Sequence, residues 1–141
     1  METPKAYLSF DFENDSSEKS QFVDGSKKSK IPFIVEYESM EPTLPPIQWS
    51  DVTGDKITNV NMLIVLVGKK TAQATGVVKE IRLAAGHNIP VFGVYLKGAD
   101  PKTELPDGLP PNRVVSLDWG AIEAKIEQVM KEGKNQLLWN V

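Results

Sequence analysis

The sequence predicts one α/β domain, a three-layer sandwich around a five-stranded parallel sheet of order 2-1-3-4-5. Three observations predict it. Five short apolar runs recur along the 141 residues. Segments with apolar residues at helical spacing fill most of the gaps between them. The central run, Asn61-Met62-Leu63-Ile64-Val65-Leu66-Val67, carries no polar alternation, which is how a strand covered on both faces reads. Alternating strands and helices connect by right-handed crossovers, so the strands run parallel.

Ala6 to Phe10 is the first strand and ends in an acidic stretch, Asp11 to Asp15. Ser16 to Lys28 is polar, with Phe22 and Val23 as its main apolar contacts, and is expected to be a short or irregular helix. Pro32 to Tyr37 is the second strand. Met40 to Pro46 carries Pro42, Pro45 and Pro46 and reads as a stiff loop. Gln48 to Thr58 is a weak helix interrupted by Gly54. After the third strand, Thr71 to Ala85 carries a stripe of Ala74, Val77, Val78, Ile81, Ala84 and Ala85 at helical spacing. Gly86 and Pro90 end that helix and lead into the fourth strand, Val91 to Leu96.

Ala99 to Asn112 contains Pro101, Pro106, Pro110 and Pro111, so an extended loop replaces a regular helix there. Arg113 to Leu117 is a weaker fifth strand. Gly120 to Lys131 places Ile122, Ile126 and Val129 on one helix face and stops at Gly133. The domain is expected to span residues 1–133. Residues 134–141 read as a C-terminal tail, in which Leu137, Leu138 and Trp139 are apolar enough to dock on the body.

Composition narrows the classes of function. The net charge of -3 offers no electrostatic reason to expect a nucleic-acid partner. The absence of cysteine excludes disulfides and thiolate metal sites and fits a reducing cytoplasm. Met1 to Ser9 lacks the basic and long apolar regions of a signal peptide, and Met62 to Val67 is too short to span a bilayer. A cytoplasmic protein without a membrane partner is the expectation.

In a doubly wound sheet of this order, ligands gather at the carboxyl ends of strands one and three. Those ends are Phe10-Asp11-Phe12 and Gly68-Lys69-Lys70, and the helix after strand three begins beside the same crevice. Glu80 of that helix lies on the flank of the apolar stripe. One reading puts its carboxylate at the crevice wall, partly desolvated, where it would bind sugar hydroxyls or stabilise an oxocarbenium-like transition state. The other pairs it at the surface with Lys79, Arg82 or a neighbouring loop. Spacing alone favours the surface pair, because most helix-flank carboxylates are solvated.

Other chemistries find less material. A flavodoxin phosphate loop needs glycine and hydroxyl residues after strand one, and residues 9–16 are acidic and lack glycine. A response-regulator receiver needs an aspartate at the end of strand three, where this chain has Val67-Gly68-Lys69-Lys70. Asp11, Glu13 and Asp15 offer oxygen ligands for Mg²⁺, although a solvated or helix-capping role suits them better. His87 is the only histidine and reads as a turn residue, which leaves little for a zinc site or a Ser-His-Asp triad. There is no Walker A or G-x-G-x-x-G motif.

Four segments resemble one family. Lys5-Ala6-Tyr7-Leu8-Ser9-Phe10 resembles the first-strand K-x-F-I-S-Y or -F pattern that opens TIR domains. Ile64-Val65-Leu66-Val67-Gly68-Lys69-Lys70-Thr71 resembles the third-strand segment of the TIR-like proteins of Thoeris systems. Val77-Val78-Lys79-Glu80-Ile81 is similar to the W-V-x-x-E-I element of the following helix, and Asn88 to Val94 to the fourth strand. Trp49 before a short helix fits the segment that precedes strand three. The resemblance runs from about residue 5 to 118 in the right order.

That resemblance implies a flavodoxin-like/TIR-like fold and an N-glycosidic bond cleavage. Catalytic TIR domains cleave NAD between nicotinamide and ribose with a glutamate of the W-V-x-x-E-I helix, and the matching position is Glu80. The product in Thoeris is a cyclised ADP-ribose-type signal that activates a separate effector protein in antiphage defence. By the same resemblance, Ser9, Phe10, Asp11, Gly68 and Trp49 are the expected substrate-binding residues, with an aromatic ring stacking on nicotinamide or adenine. NAD is then a substrate; no metal and no tightly held cofactor is expected, because nicotinamide is already a good leaving group. Self-association into a homo-oligomer is expected too. Gly76 stands where the tryptophan of the helix element belongs, so one pocket wall is open or comes from another chain. The competing class is a non-catalytic TIR-like interaction or scaffold module that acts by self-association through the loops at 40–46 and 99–112.

Overall fold

The computed structural model describes residues 3–28, 33–40 and 44–133. Five parallel strands, β1 (Lys5–Ser9), β2 (Ile34–Glu38), β3 (Met62–Val67), β4 (Val91–Tyr95) and β5 (Val114–Val115), pair in the expected order β2-β1-β3-β4-β5. Every residue of β3 is buried, as its unbroken apolar sequence requires. Its partners set the register, with Tyr7 opposite Leu63, Ser9 opposite Val65 and Val65 opposite Gly93.

The period-two alternation of β3 divides the core into two layers. Met62, Ile64 and Leu66 face one side with Ala6, Leu8, Phe92 and Val94. Helices α1 (Ser16–Lys28) and α4 (Trp119–Glu132) cover that side with Phe22, Ile122, Ile126 and Val129. Leu63, Val65 and Val67 face the other side with Tyr7, Val91 and Tyr95. Helices α2 (Pro46–Thr58) and α3 (Thr75–Gly86) cover it with Ile57, Val77, Ile81 and Ala84.

Several elements differ from the expectation, each for a physical reason. Segment 16–28 is a regular 13-residue helix rather than a short or irregular one. Glu18 in its first turn and Lys27 and Lys28 in its last complement the helix dipole. Its few apolar residues suffice because Phe22 meets Trp119 of α4, ring centroids 5.0 Å apart. Gly25 also admits the Trp119 ring, which a Cβ there would meet at 3.0 Å.

Helix α2 starts at Pro46, where the fixed φ of proline suits a first turn, so part of the expected loop is helical. Gly54 does not interrupt it. That glycine is buried against Leu83 of α3 and its C-cap His87, and the packing offsets its poor helix propensity. Pro32, Pro42 and the 134–141 tail lie outside the described residues.

The expected helix at Thr71 to Ala85 divides into a 3-10 turn, Thr71–Gln73, and α3 proper. The Thr71 hydroxyl accepts from the Gly68 amide at 2.7 Å and so spends the first turn closing the strand end. Ala74 then sits in an extended conformation before α3 begins. Between β4 and β5 the proline-rich stretch forms no helix beyond a 3-10 turn at Pro111–Arg113, as its four prolines predict. The fifth strand is only two residues long, and Arg113 closes the 3-10 turn just before it. The Arg113 guanidinium is buried, donating to the Val91 carbonyl at 3.0 Å and to both oxygens of Glu132 at 2.7 and 2.9 Å. Helix α4 begins at an N-cap, Asp118, whose side chain accepts from the Ala121 amide at 2.9 Å.

Candidate functional site

Glu80 lies in the second turn of α3 and is only 2% exposed. The surface pairing that spacing favours is therefore overturned, and burial is deeper than the partly desolvated alternative foresaw. The sequence held a signal for this. Val77, Glu80, Ile81 and Ala84 are the buried residues of α3, and their spacing of three, four and seven puts Glu80 on the apolar stripe itself. A carboxylate in that row must find polar partners under the helix.

It finds three hydroxyls. Tyr7 Oη donates to Oε2, while Ser9 Oγ and Ser39 Oγ each donate to Oε1 at 2.7 Å. Tyr7 and Ser9 are two residues apart on β1, so the strand period points both at α3. Ser39 follows the last residue of β2 and also accepts from the Phe10 amide at 3.1 Å. Among the described residues no ion pair joins Glu80 to a cation. Burial pushes its proton affinity up, and the hydroxyls of Tyr7, Ser39 and Ser9 together with the charge of Lys56 pull it partly back. Burial, followed by the negative charge of Glu80, pushes the Tyr7 phenol well above its usual range, so Tyr7 stays a donor.

Glu80 forms part of the lining of a cavity of about 590 Å³. The cavity lies between the end of β1, the start of α2 and the first turn of α3, within the size range of small-molecule sites. Phe10, Asp11 and Trp49 are among its lining residues, and the Phe10 side chain is 2% exposed, packed into the core layer under α1 and α4. Ser9 and Gly68 are not part of the lining. Ser9 sits behind Glu80 as its partner, and Gly68 lies against Asp15, whose carboxylate oxygens would be 2.5 and 2.6 Å from a Cβ at that position. Of the strand-three end, Lys70 reaches the cavity.

The rim combines aromatic and positive groups. Lys79 Nζ stands 5.8 Å from the Trp49 ring centroid, a cation-π distance. Phe10 and Phe12 stack with centroids 6.2 Å apart. Thr75, Gly76 and Val77 of the first α3 turn also line the cavity, and no side chain caps that helix end. The positive end of the helix dipole is thus turned to the same space as Lys70 and Lys79. A Cβ on Gly76 would meet nothing within 4 Å, so the wall where a tryptophan was expected is open.

The acidic loop is occupied locally. Asp11 accepts from the Glu13 amide at 3.2 Å and from Asn14 Nδ2 at 2.7 Å. The Asp15 carboxylate turns inward to Thr71 Oγ1 at 3.2 Å instead of capping α1, and burial raises its proton affinity. Among the described residues no cluster of three or more His, Asp or Glu groups could hold a metal ion. His87 is an exposed residue at the end of α3, the turn position expected for it. Also among the described residues, no helix is long and apolar enough to cross a membrane.

The sequence reading missed Tyr7, Ser39 and Lys79 as parts of the site. Tyr7 and Ser9 share a strand face, which was a readable signal. Ser39 was not readable, because its place depends on how the chain leaves β2.

Residues 7–101, more than half of the chain, match the model of a family described as Thoeris protein ThsB, TIR-like domain. No curated protein matches the chain.

Proposed function

This chain belongs to the TIR-like domain family of Thoeris protein ThsB, a family of antiphage defence, and we propose that it acts there as a nucleotide-processing enzyme that cleaves NAD. The reaction breaks the bond between the ribose C1′ and the nicotinamide nitrogen. The bonding electron pair leaves with nicotinamide, which becomes neutral, and positive charge develops on the ribose. Water attacking C1′ gives ADP-ribose and releases a proton; an internal nucleophile of the nucleotide gives a cyclic product.

The observation that carries the reading is the buried Glu80 carboxylate in the lining of a nucleotide-sized cavity. A carboxylate offers about four acceptor positions. Hydroxyls of Tyr7, Ser9 and Ser39 use three, which leaves one for a ribose hydroxyl. Its negative charge, in a site shielded from water, opposes the charge developing on the sugar. Trp49 and the exposed Phe12 of the lining suit the flat rings of the substrate. Lys70, Lys79 and the uncapped first turn of α3 suit its diphosphate.

Incubation with NAD, both dilute and at assembly-promoting concentration, tests this by chromatographic detection of nicotinamide. Release matched by ADP-ribose or a cyclic isomer is expected. No release under either condition overturns the enzymatic reading.

One observation favours the scaffold alternative. Met40 and Leu44 of the cavity lining are exposed, and Ile47, next in sequence to the lining residue Pro46, is 79% exposed. Such an apolar rim suits contact with another protein. A concentration-dependent oligomer by light scattering, with no thermal stabilisation by NAD or ADP-ribose, would support that reading.

A further inference from the structure

We propose that Tyr7 is a positioning residue for Glu80, its hydroxyl fixing the orientation of the carboxylate and holding it in the charged form. The proposal rests on the reading of Glu80 as the working carboxylate of the site. Ser9 and Ser39 both donate to Oε1, so among the described residues Tyr7 is the one hydroxyl on Oε2. A carboxylate held from both oxygens cannot rotate about its terminal torsion without losing a bond. With Tyr7 removed, Oε2 would be held by nothing on β1 or β2.

The surrounding charges do not do this work. Lys56 of α2 favours the charge from a distance, but its ammonium lies 5.7 Å over the Tyr37 ring and 3.5 Å from Met40 Sδ. Lys79, on α3 itself, is turned to Trp49. Glu38 of β2 is paired with Lys19 at 3.0 Å and acts against ionisation of Tyr7. Asp11, beyond β1, is engaged by Glu13 and Asn14. The charge of Glu80 is therefore borne by neutral hydroxyl donors, and a donor to a buried carboxylate favours the ionised form. Tyr7 suits the task because its own proton is held firmly.

The ring and the hydroxyl of Tyr7 have separable roles. The ring packs in the layer formed by Ile57, Leu63 and Ile81, and phenylalanine would keep those contacts. Tyr7→Phe thus removes only the donor.

The test is a carboxyl ¹³C NMR titration of the full chain labelled at glutamate. The Glu80 signal is assigned by its absence in Glu80→Gln. In Tyr7→Phe the midpoint of that signal should move to higher pH, while the thermal midpoint at acid pH, where Glu80 is protonated in both proteins, stays close to wild type. Should Tyr7→Phe fail to fold, a fluorotyrosine placed at position 7 replaces it. Its more acidic hydroxyl donates more strongly, so the Glu80 midpoint should move to lower pH. An unchanged midpoint in the folded variant overturns the proposal. In parallel, nicotinamide release by Tyr7→Phe should lose kcat towards acid pH and recover it at alkaline pH. A shifted carboxyl titration with no nicotinamide release from wild type would uphold the role of Tyr7 and reject the NAD-cleaving reading instead.

Discussion

Ser39 Oγ donates to Glu80 Oε1 at 2.7 Å and itself accepts from the Phe10 amide at 3.1 Å. One hydroxyl thereby joins the end of β2, the end of β1 and α3. Ser39→Ala should leave a buried amide without its acceptor and a buried carboxylate with one donor fewer. A loss of about 1–3 kcal/mol is expected from such a change. Denaturant unfolding measures it, and NAD turnover should fall in the same variant.

Glu80 should also cost stability for the sake of the site. Burial raises its proton affinity in the folded state, so the folded chain holds that proton to higher pH than the unfolded chain does. Stability from this group is fully present below the ordinary glutamate value of about 4.3 and declines as pH rises through the raised folded value. Glu80→Gln removes that decline. Thermal midpoints across the acid-to-neutral range should therefore fall less steeply for Glu80→Gln than for wild type.

Glu132 gives the opposite sign. The hydrogen bonds from Arg113, foremost among its causes, hold its carboxyl below the usual range. Stability from this pair is present above the unfolded value of about 4.3 and is lost as pH falls through the depressed folded value. Glu132→Gln should remove this part of the acid destabilisation. Unfolding curves at acid and neutral pH, compared between the two proteins, measure it.

A side chain at Gly68 would displace the Asp15 carboxylate from Thr71. A Cβ there would lie 2.5 Å from Asp15 Oδ2, so Gly68→Ala should cost about 1–3 kcal/mol through forced displacement. Asp15→Ala in the same chain should recover part of the loss. A double-mutant cycle reads the coupling between them.

Much of the fold was legible because it follows from short-range pattern. Met62 to Val67 reads as a strand covered on both faces, and four prolines between Ala99 and Asn112 leave only a 3-10 turn there. The misread places are those where a distant residue decides. Gly54 stays helical because α3 packs on it, α1 is regular because Trp119 meets Phe22, and Thr71 closes a strand end before α3 starts. For the site, Glu80, Phe10, Asp11 and Trp49 were within reach of motif and spacing. The Ser39 contact was not, since Ser39 lies beyond the end of β2, where the strand period no longer fixes its direction.

The most direct measurement is the rate of nicotinamide release from NAD by wild type and Glu80→Gln, each shown to be folded by its thermal transition. The account predicts release by wild type and a rate lower by about 100-fold or more in Glu80→Gln, as for removal of one electrostatic stabiliser of a transition state. Equal rates in the two proteins would contradict it.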